Sequence, residues 1–381
     1  MSNIQDMNFD DIRPYNDSEV KEAIARLCNV PYFHRVIAFL FPGIPVEAII
    51  DKLSKVETVE QFQDNFILPF LNGLEKKTTN GISISGTENI VPGQSYLFMT
   101  NHRDIILDSA FLNYKLYDSN FKTTEIGIGD NLLIYEWITD LVKLNKTFVV
   151  KRNLPVRQMM EASSHLSAYM RHSIADCNKN LWISHREGRT KDGNDRTQAS
   201  VLKMLQLSGS DDLVQSFADL HILPVAISYE FDPTDYLKAY QFQLKRDDPS
   251  YKKSQQDDLD HMNLGLQGQK GRVHFGLGKP ITAETLQPLV GMNKNQFMNA
   301  LCEIIDKQIH ANFKLWPANY VAYDVLNNTT EMSSHYSPEE KEAYISYVEE
   351  HISRLPKCDT DYVRSQIYTM FANPVVNKKN L

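Results

Sequence analysis

The sequence predicts an α/β protein with a mixed, largely parallel central sheet flanked by helices, and with helical extensions at both ends. Three observations carry this. Between about Gly81 and Tyr323, short β-rich runs alternate with helical stretches, the pattern of a sheet layered with crossover helices. On either side of that zone, apolar residues recur at helical spacing without such runs. With 381 residues, 42% hydrophobic and 23% charged, the chain is long enough for a large core and too apolar to be disordered. It therefore divides into an N-terminal helical region over 1–78, a central domain over 79–323 and a C-terminal helical extension over 324–381.

Taken in order, Asn16-Asp17-Ser18 followed by Glu19–Leu27 reads as a capped helix. Tyr32–Ile50 is aromatic-rich. Its Phe33, Val36, Ile37, Phe39, Leu40 and Phe41 make it the candidate membrane contact, and the same residues suit a helix packed on the central domain. Thr58–Leu74 reads as a helix bent or broken at Pro69, which has no N–H to donate. Strands are expected at Gly81–Ser85, Tyr96–Thr100, Thr147–Lys151, Leu181–Ser184, Ile222–Tyr229 and Arg272–Leu277. Helices are expected at Asp108–Leu116, Asn131–Leu144, Pro155–Asn178 and Ser200–Ser208. Lys245–Gly271, which contains LKRDDPSYKKSQQDDLDH, reads as a surface excursion or mobile loop. Ser337-Pro338-Glu339-Glu340 opens the last zone with a capping Ser, Pro at the first helical position and two acids in the first turn.

Composition excludes several classes. A net charge of -8 argues against a nucleic-acid partner. It argues less against an anionic membrane, because the sign is not uniform. Between Leu141 and Leu205, twelve Lys and Arg stand against five acids, a local cationic field whatever the total. No run approaches the roughly 20 apolar residues of a membrane span. Val36–Val46 is broken by Pro42, Gly43 and Pro45. The acidic start MSNIQDMNFDD has no apolar core of a secretory signal. Cys28, Cys177, Cys302 and Cys358 lie far apart without metal-binding spacing, and are expected to be isolated buried thiols in a reduced, cytoplasmic compartment. Gly127-Ile-Gly129 lacks the third glycine of a dinucleotide fingerprint, and Gly81-Ile-Ser83-Ile-Ser85 lacks the second glycine of a nucleophile elbow.

The chemistry concentrates at strand ends. The apolar run Tyr96–Thr100 stops at Asn101-His102-Arg103-Asp104, and a helix-like run resumes through Asp108. A His with a carboxylate nearby can act as a general base whose tautomer is fixed by the acid. The bland alternative is a turn whose Asp caps the helix. Thr147–Val150 ends in Lys151-Arg152. Trp182–Ser184 runs into His185-Arg186-Glu187-Gly188-Arg189-Thr190-Lys191. Ile222–Tyr229 is an apolar strand with Pro224 near its start. Charged residues just past several strands suggest one shared edge, where α/β sheets place their sites.

In this order the blocks resemble the glycerolipid acyltransferase family, which includes glycerol-3-phosphate and lysophosphatidic acid acyltransferases. The family's NH-(x)4-D block is matched by Asn101-His102 with Asp108, its strand ending in arginine by Lys151-Arg152, its E-G-T-R-like turn by Glu187-Gly188-Arg189, and its proline-led strand by Pro224-Val225. The resemblance covers about 90–280. Arg103, Asp108 and Ser109 look closer to the glycerol-3-phosphate branch. Two departures stand out. Five residues separate His102 from Asp108 where the family has four, so the turn absorbs one residue or Asp104 takes the role; the continuing Ser-Ala-Phe-Leu favours Asp108. Arg186 stands where the family has proline, and Arg189 sits one place early.

The resemblance implies direct transfer of an acyl group from a thioester, on coenzyme A or acyl carrier protein, to a hydroxyl of a glycerol phosphate or lysophospholipid in phospholipid biosynthesis. It implies His102 as base and Asp108 as its orienter, with no covalent acyl-enzyme and no tightly bound cofactor. Arg152 and Arg189, with Lys151, would bind the acceptor phosphate. Glu187 would position an acceptor hydroxyl or hold Arg152, and Gly188 would let backbone N–H groups approach an oxyanion or phosphate. Asn101, Arg103 and Pro224 complete the candidate substrate-binding set, although Asn101 also suits a backbone bond within the turn. His185 reads as local structure, Lys191 and Arg196 as a solvated turn. A peripheral enzyme on the inner face of the membrane follows. Rivals are a same-fold transferase with an amino-acid lipid acceptor and an inactive lipid-binding protein. A metal hydrolase built on His102, Asp104 and Asp108 fits poorly, because the other strand ends supply cations. No metal site and no nucleic-acid partner are expected.

Overall fold

The computed structural model describes residues 7–152 and 154–381; the first six residues of the acidic start lie outside them. Seven strands form one sheet: β1 (Ile82–Ser85), β2 (Leu97–Thr100), β3 (Thr124–Gly129), β4 (Thr147–Val150), β5 (Asn180–Ser184), β6 (Ile222–Tyr229) and β7 (Val273–Leu277). Their order is β1-β7-β6-β2-β5-β3-β4. The β6–β7 pair is antiparallel and every other pair is parallel, so five strands run one way and β1 and β7 run the other. The mixed, largely parallel sheet flanked by helices is thus present. The carboxyl ends of β2, β3, β4, β5 and β6 all emerge on one edge.

Sequence alternation sorts the two faces. Leu97, Met99, Leu181, Ile183 and Ala226 pack with helices Val156–Ala175 and Lys294–Asn312. Phe98, Trp182, Val225 and Ile227 pack on the other face with helices Leu68–Thr78 and Leu107–Asp118. β2 and β6 are buried along their whole length, as central strands covered on both faces should be.

The N-terminal helices form their own apolar cluster around Val20, Phe33, Ile37, Leu53 and Phe62, against Leu144. Phe33 and Ile37 are therefore core residues, which corrects their reading as membrane-dipping side chains; Tyr32, Phe39 and Ile44 stay exposed. The helix containing Pro69 is neither broken nor sharply ended. It passes through a π turn, Gln63–Ile67, where Leu68 N–H reaches back to Gln63 O, and the missing donor of Pro69 falls just beyond.

Four further readings need correction. β3 was not expected; Gly127 and Gly129 hide a strand whose neighbours crowd it. A Cβ on Gly127 would lie 2.9 Å from Phe148. Lys245–Gly271 is not a loop but contains a helix, Gln255–Gln267, opened by a Ser254 capping box. The boundary drawn at 323/324 falls inside helix Pro317–Asn327, which packs with Pro338–Ser353 and Thr360–Lys379 around Tyr344, Val348 and Phe371. Among the cysteines only Cys302 is buried; Cys177 is exposed with its sulfur 3.3 Å from His172 Nε2.

Candidate active site

His102 lies two residues past the end of β2, on the shared carboxyl edge. Its Nδ1 is 2.8 Å from Asp108 Oδ2. The same oxygen accepts the backbone N–H of Arg103 at 2.6 Å and of Asp104 at 3.1 Å. Three donors on one buried carboxylate oxygen fix it in place. The side chain of Asp108 is 1% exposed and that of His102 is 15%, so the imidazole touches solvent while the carboxylate does not. Trp182 packs on the imidazole in a T-shaped contact at 5.8 Å.

The five-residue spacing is absorbed by the turn itself. Asp104 Oδ1 accepts from Ile106 N–H at 2.9 Å and Leu107 N–H at 2.8 Å, so Asp104 caps the helix Leu107–Asp118. Burial and the neighbouring Asp108 push the Asp104 carboxyl up. The bland reading of a capping Asp thus describes Asp104, while Asp108, in the first helical turn, reaches His102.

The turn is held from behind by Asp195. Its Oδ2 accepts from Asn101 Nδ2 at 3.0 Å and Arg103 Nη2 at 2.6 Å, and its Oδ1 accepts from the Thr190 hydroxyl at 2.9 Å. Asn101 is fully buried and also bonds both backbone groups of Ile227 on β6. Arg103 is buried, over the ring of Phe313. Asn101 and Arg103 are therefore turned into the protein rather than toward the open edge. Pro224 is buried within β6, its carbonyl accepting from Gly278 N–H at 2.8 Å. Lys151 is paired with Asp11 of the N-terminal segment. These four do not gather with His102.

Arg152, Glu187, Gly188 and Arg189 do line the edge. Arg152 Nη1 lies 3.7 Å from Glu187 Oε1 in a loose pair, 34% and 76% exposed, of the kind that contributes little alone. Gly129 makes room for the arginine: a Cβ there would stand 2.7 Å from Arg152 Nε. Gly188 has φ +70 and open space around it, so it serves turn geometry. Thr190 N–H donates to His102 O at 2.9 Å, tying this turn to the first. Among the described residues no carboxylate forms an ion pair with Arg189 or Lys191. Lys191 is half-buried rather than part of a solvated turn. Burial, with the cations Lys253, Arg189 and Lys238, pushes its ammonium down to about 8.

His185, read as local structure, is a neutral core group: it is fully buried, and burial, with Arg186, Arg103 and His102 nearby, pushes it down to about 3. Sequence reasoning missed three contributors. Tyr229, the last residue of β6, is buried close to Asp108 and Asp104; burial and those carboxylates push its phenol well above its ordinary value. Its place beyond the end of β2 was legible only once β6 was known to overrun its neighbour. Lys238 is fully buried, donating to Arg103 O at 2.7 Å and paired with Asp232. His261, on helix Gln255–Gln267, contacts Arg189.

With this geometry in view, residues 81–228 match the family model described as Acyltransferase, under half of the chain. No curated protein sequence matches significantly. Among solved structures, the 1-acyl-sn-glycerophosphate (LPA) acyltransferase PlsC from Thermotoga maritima is similar at 13% identity and a TM-score of 0.38, over 76% of this chain and 91% of that one. The family match runs from the residue before β1 nearly to the end of β6 and takes in all four sequence blocks. The stretch that resembles the acyltransferase family therefore covers the strands that build the site.

Proposed function

We propose that the chain transfers a fatty acyl group from a thioester, on coenzyme A or acyl carrier protein, to a hydroxyl of a glycerol phosphate or lysophospholipid, as a step of phospholipid biosynthesis. The observation that carries this reading is the His102 Nδ1–Asp108 Oδ2 contact of 2.8 Å at the open strand edge. With Nδ1 donating to a carboxylate, Nε2 keeps its lone pair for a substrate proton.

In the proposed step Nε2 takes the hydroxyl proton as the oxygen attacks the thioester carbonyl. The carbon–sulfur bond then breaks, and the imidazolium returns the proton to the departing thiolate. No nucleophilic Ser or Cys is used and no acyl-enzyme forms. Arg189 and Arg152 bind the acceptor phosphate, with Lys191 adding charge. Glu187 holds Arg152. Lys151, committed to Asp11, is left out of the clamp.

No helix among the described residues is long and apolar enough to cross a membrane. We infer contact with the inner face of the membrane through exposed apolar side chains: Tyr32 and Phe39 on helix Pro31–Leu40, Ile44 in the turn after it, Tyr135 at the start of helix Glu136–Leu144, and Val156 and Met160 on the helix after the Arg152 turn. The test is to incubate the chain with acyl-coenzyme A or acyl carrier protein and a panel of glycerol phosphates and lysolipids, and to weigh the products. An ester formed by the native chain and lost in His102→Ala supports the reading. Full turnover in His102→Ala sinks it.

A further inference from the structure

The helix Gln255–Gln267 lies outside the stretch that matches the acyltransferase family, yet it touches both turns of the site. His261 and Gly265 are one helical turn apart and so share a face. At Gly265 the helix backbone approaches the catalytic turn so closely that a Cβ would stand 2.2 Å from Asp104 Oδ2. At His261, Nδ1 is 3.0 Å from Arg189 Nη1. His261 is 2% exposed, and its Nε2 faces the side-chain amide of Gln241 at 3.2 Å.

Proton bookkeeping at these contacts has one solution. A guanidinium carries only donors and keeps its charge at any ordinary pH. The Nδ1 that faces it must present a lone pair. A neutral imidazole then carries its proton on Nε2 and must donate it to Gln241. With the amide nitrogen toward His261, two donors would oppose each other, and Gln241 Oε1 is buried without a hydrogen bond. Turned over, the amide puts Oε1 opposite Nε2–H and makes the bond. Arg189 has no carboxylate ion pair among the described residues, so a neutral acceptor aims it without cancelling its charge. A carboxylate in that place would aim it too, but would compete with an anionic ligand.

We propose that His261 is a positioning residue for Arg189: a permanently neutral, Nε2-protonated imidazole, fixed by Gln241, that holds the guanidinium toward a phosphate-bearing acceptor while leaving its full charge available. The role of Arg189 rests on the function proposed above; the state of His261 does not. Burial pushes His261 down to about 2, helped by Arg189 from the β5 turn, Lys238 from helix Asp235–Asp247 and Lys253 ahead of its own helix, with only Asp232 opposing.

The decisive measurement is nitrogen NMR of the full chain labelled at its 11 histidines, with His261 assigned from the signal missing in His261→Asn. The expected pattern is a bare Nδ1 and a protonated Nε2, unchanged from pH 5.5 to 8.5. An Nδ1-protonated or doubly protonated ring overturns the proposal; the His261→Asn variant serves only to assign the signal, and no activity is needed. The second arm is calorimetric binding of glycerol 3-phosphate. His261→Leu weakens it about 10-fold and His261→Asn, whose amide oxygen replaces the Nδ1 acceptor, returns it to within about threefold. Equal loss in both variants overturns the proposal. In turnover the loss falls on the acceptor KM rather than on kcat. If the tautomer and the binding series hold and no acceptor is acylated, the function above fails and the positioning role stands.

Discussion

The turn after β2 and the turn after β5 lie side by side, joined by the Thr190–His102 backbone bond, and they are built on opposite rules. In the first, the polar side chains find their partners within the protein: Asp108 Oδ2 takes three donors while its Oδ1 is buried without one, Asp104 caps a helix, and Asn101 and Arg103 meet Asp195. In the second, Arg189 and Lys191 carry charge without a paired carboxylate, and Glu187 meets Arg152 of the turn after β4 only loosely. In the function proposed above, a base must keep one geometry through a proton transfer, and the protein supplies all but one of the partners of His102. A binding group must meet a charge that comes from outside, and the protein withholds the counter-ion of Arg189.

The largest expected effect breaks the first turn. His102→Ala and Asp108→Asn should each lower kcat by about 10²–10⁴-fold, read in steady-state acyl transfer. Asp108→Asn should also cost about 1–3 kcal/mol in denaturant unfolding, because it turns an amide into backbone donors. If Asp108→Asn keeps kcat within about twofold, the first turn is scaffolding only. Next, Arg189→Met should raise the KM of a phosphate-bearing acceptor about 10–100-fold, the range of a lost charged hydrogen bond. A phosphate-free acceptor should show no such rise, and equal effects on both would erase the contrast between the turns.

A smaller effect separates the two aspartates. Asp104→Ala should cost about 0.5–2 kcal/mol of stability as a lost cap, with far less loss of kcat than Asp108→Asn. The smallest effect sharpens the second turn. Lys191 is cationic below about 8 and neutral above, so its attraction for phosphate is present at pH 7 and fades as pH rises. The kcat/KM for a phosphate acceptor should decline above pH 8 in the free enzyme's profile, and Lys191→Met should flatten that decline. A decline of unchanged steepness in Lys191→Met would remove Lys191 from the site.

What the sequence made legible was local. A strand that ends in charge is visible in a few residues, so the positions of His102, Arg152 and Arg189 on one edge could be expected. Asn101 and Arg103 share that motif, but which way a turn residue faces depends on Asp195, ninety positions away. β3 was hidden because its two glycines, which clear space for Phe148 and Arg152, remove the β-branched signal. The helix Gln255–Gln267 was mistaken for a loop because most of its surface is polar; only His261 and Gly265 are buried, too few to show a period. Tyr229 and Lys238 look like any strand end and any helix lysine until the fold brings them under the catalytic turn.

The reversal of β7 has a consequence for how such a site can change. Because β7 runs back against β6, the chain that leaves the sheet after Tyr229 returns to it at Val273 from the same side. Residues 230–272 never have to traverse a face of the sheet, as a parallel crossover would oblige them to do. They stay stacked above the strand ends, and Asp232, Lys238, His261 and Gly265 all belong to them. This one connection therefore reaches the turn after β2 from outside the strand pairing: Lys238 bonds Arg103 O, and Gly265 lies against Asp104. A change of length or side chain there can retune that turn and the surroundings of Arg189 without rebuilding the rest of the sheet.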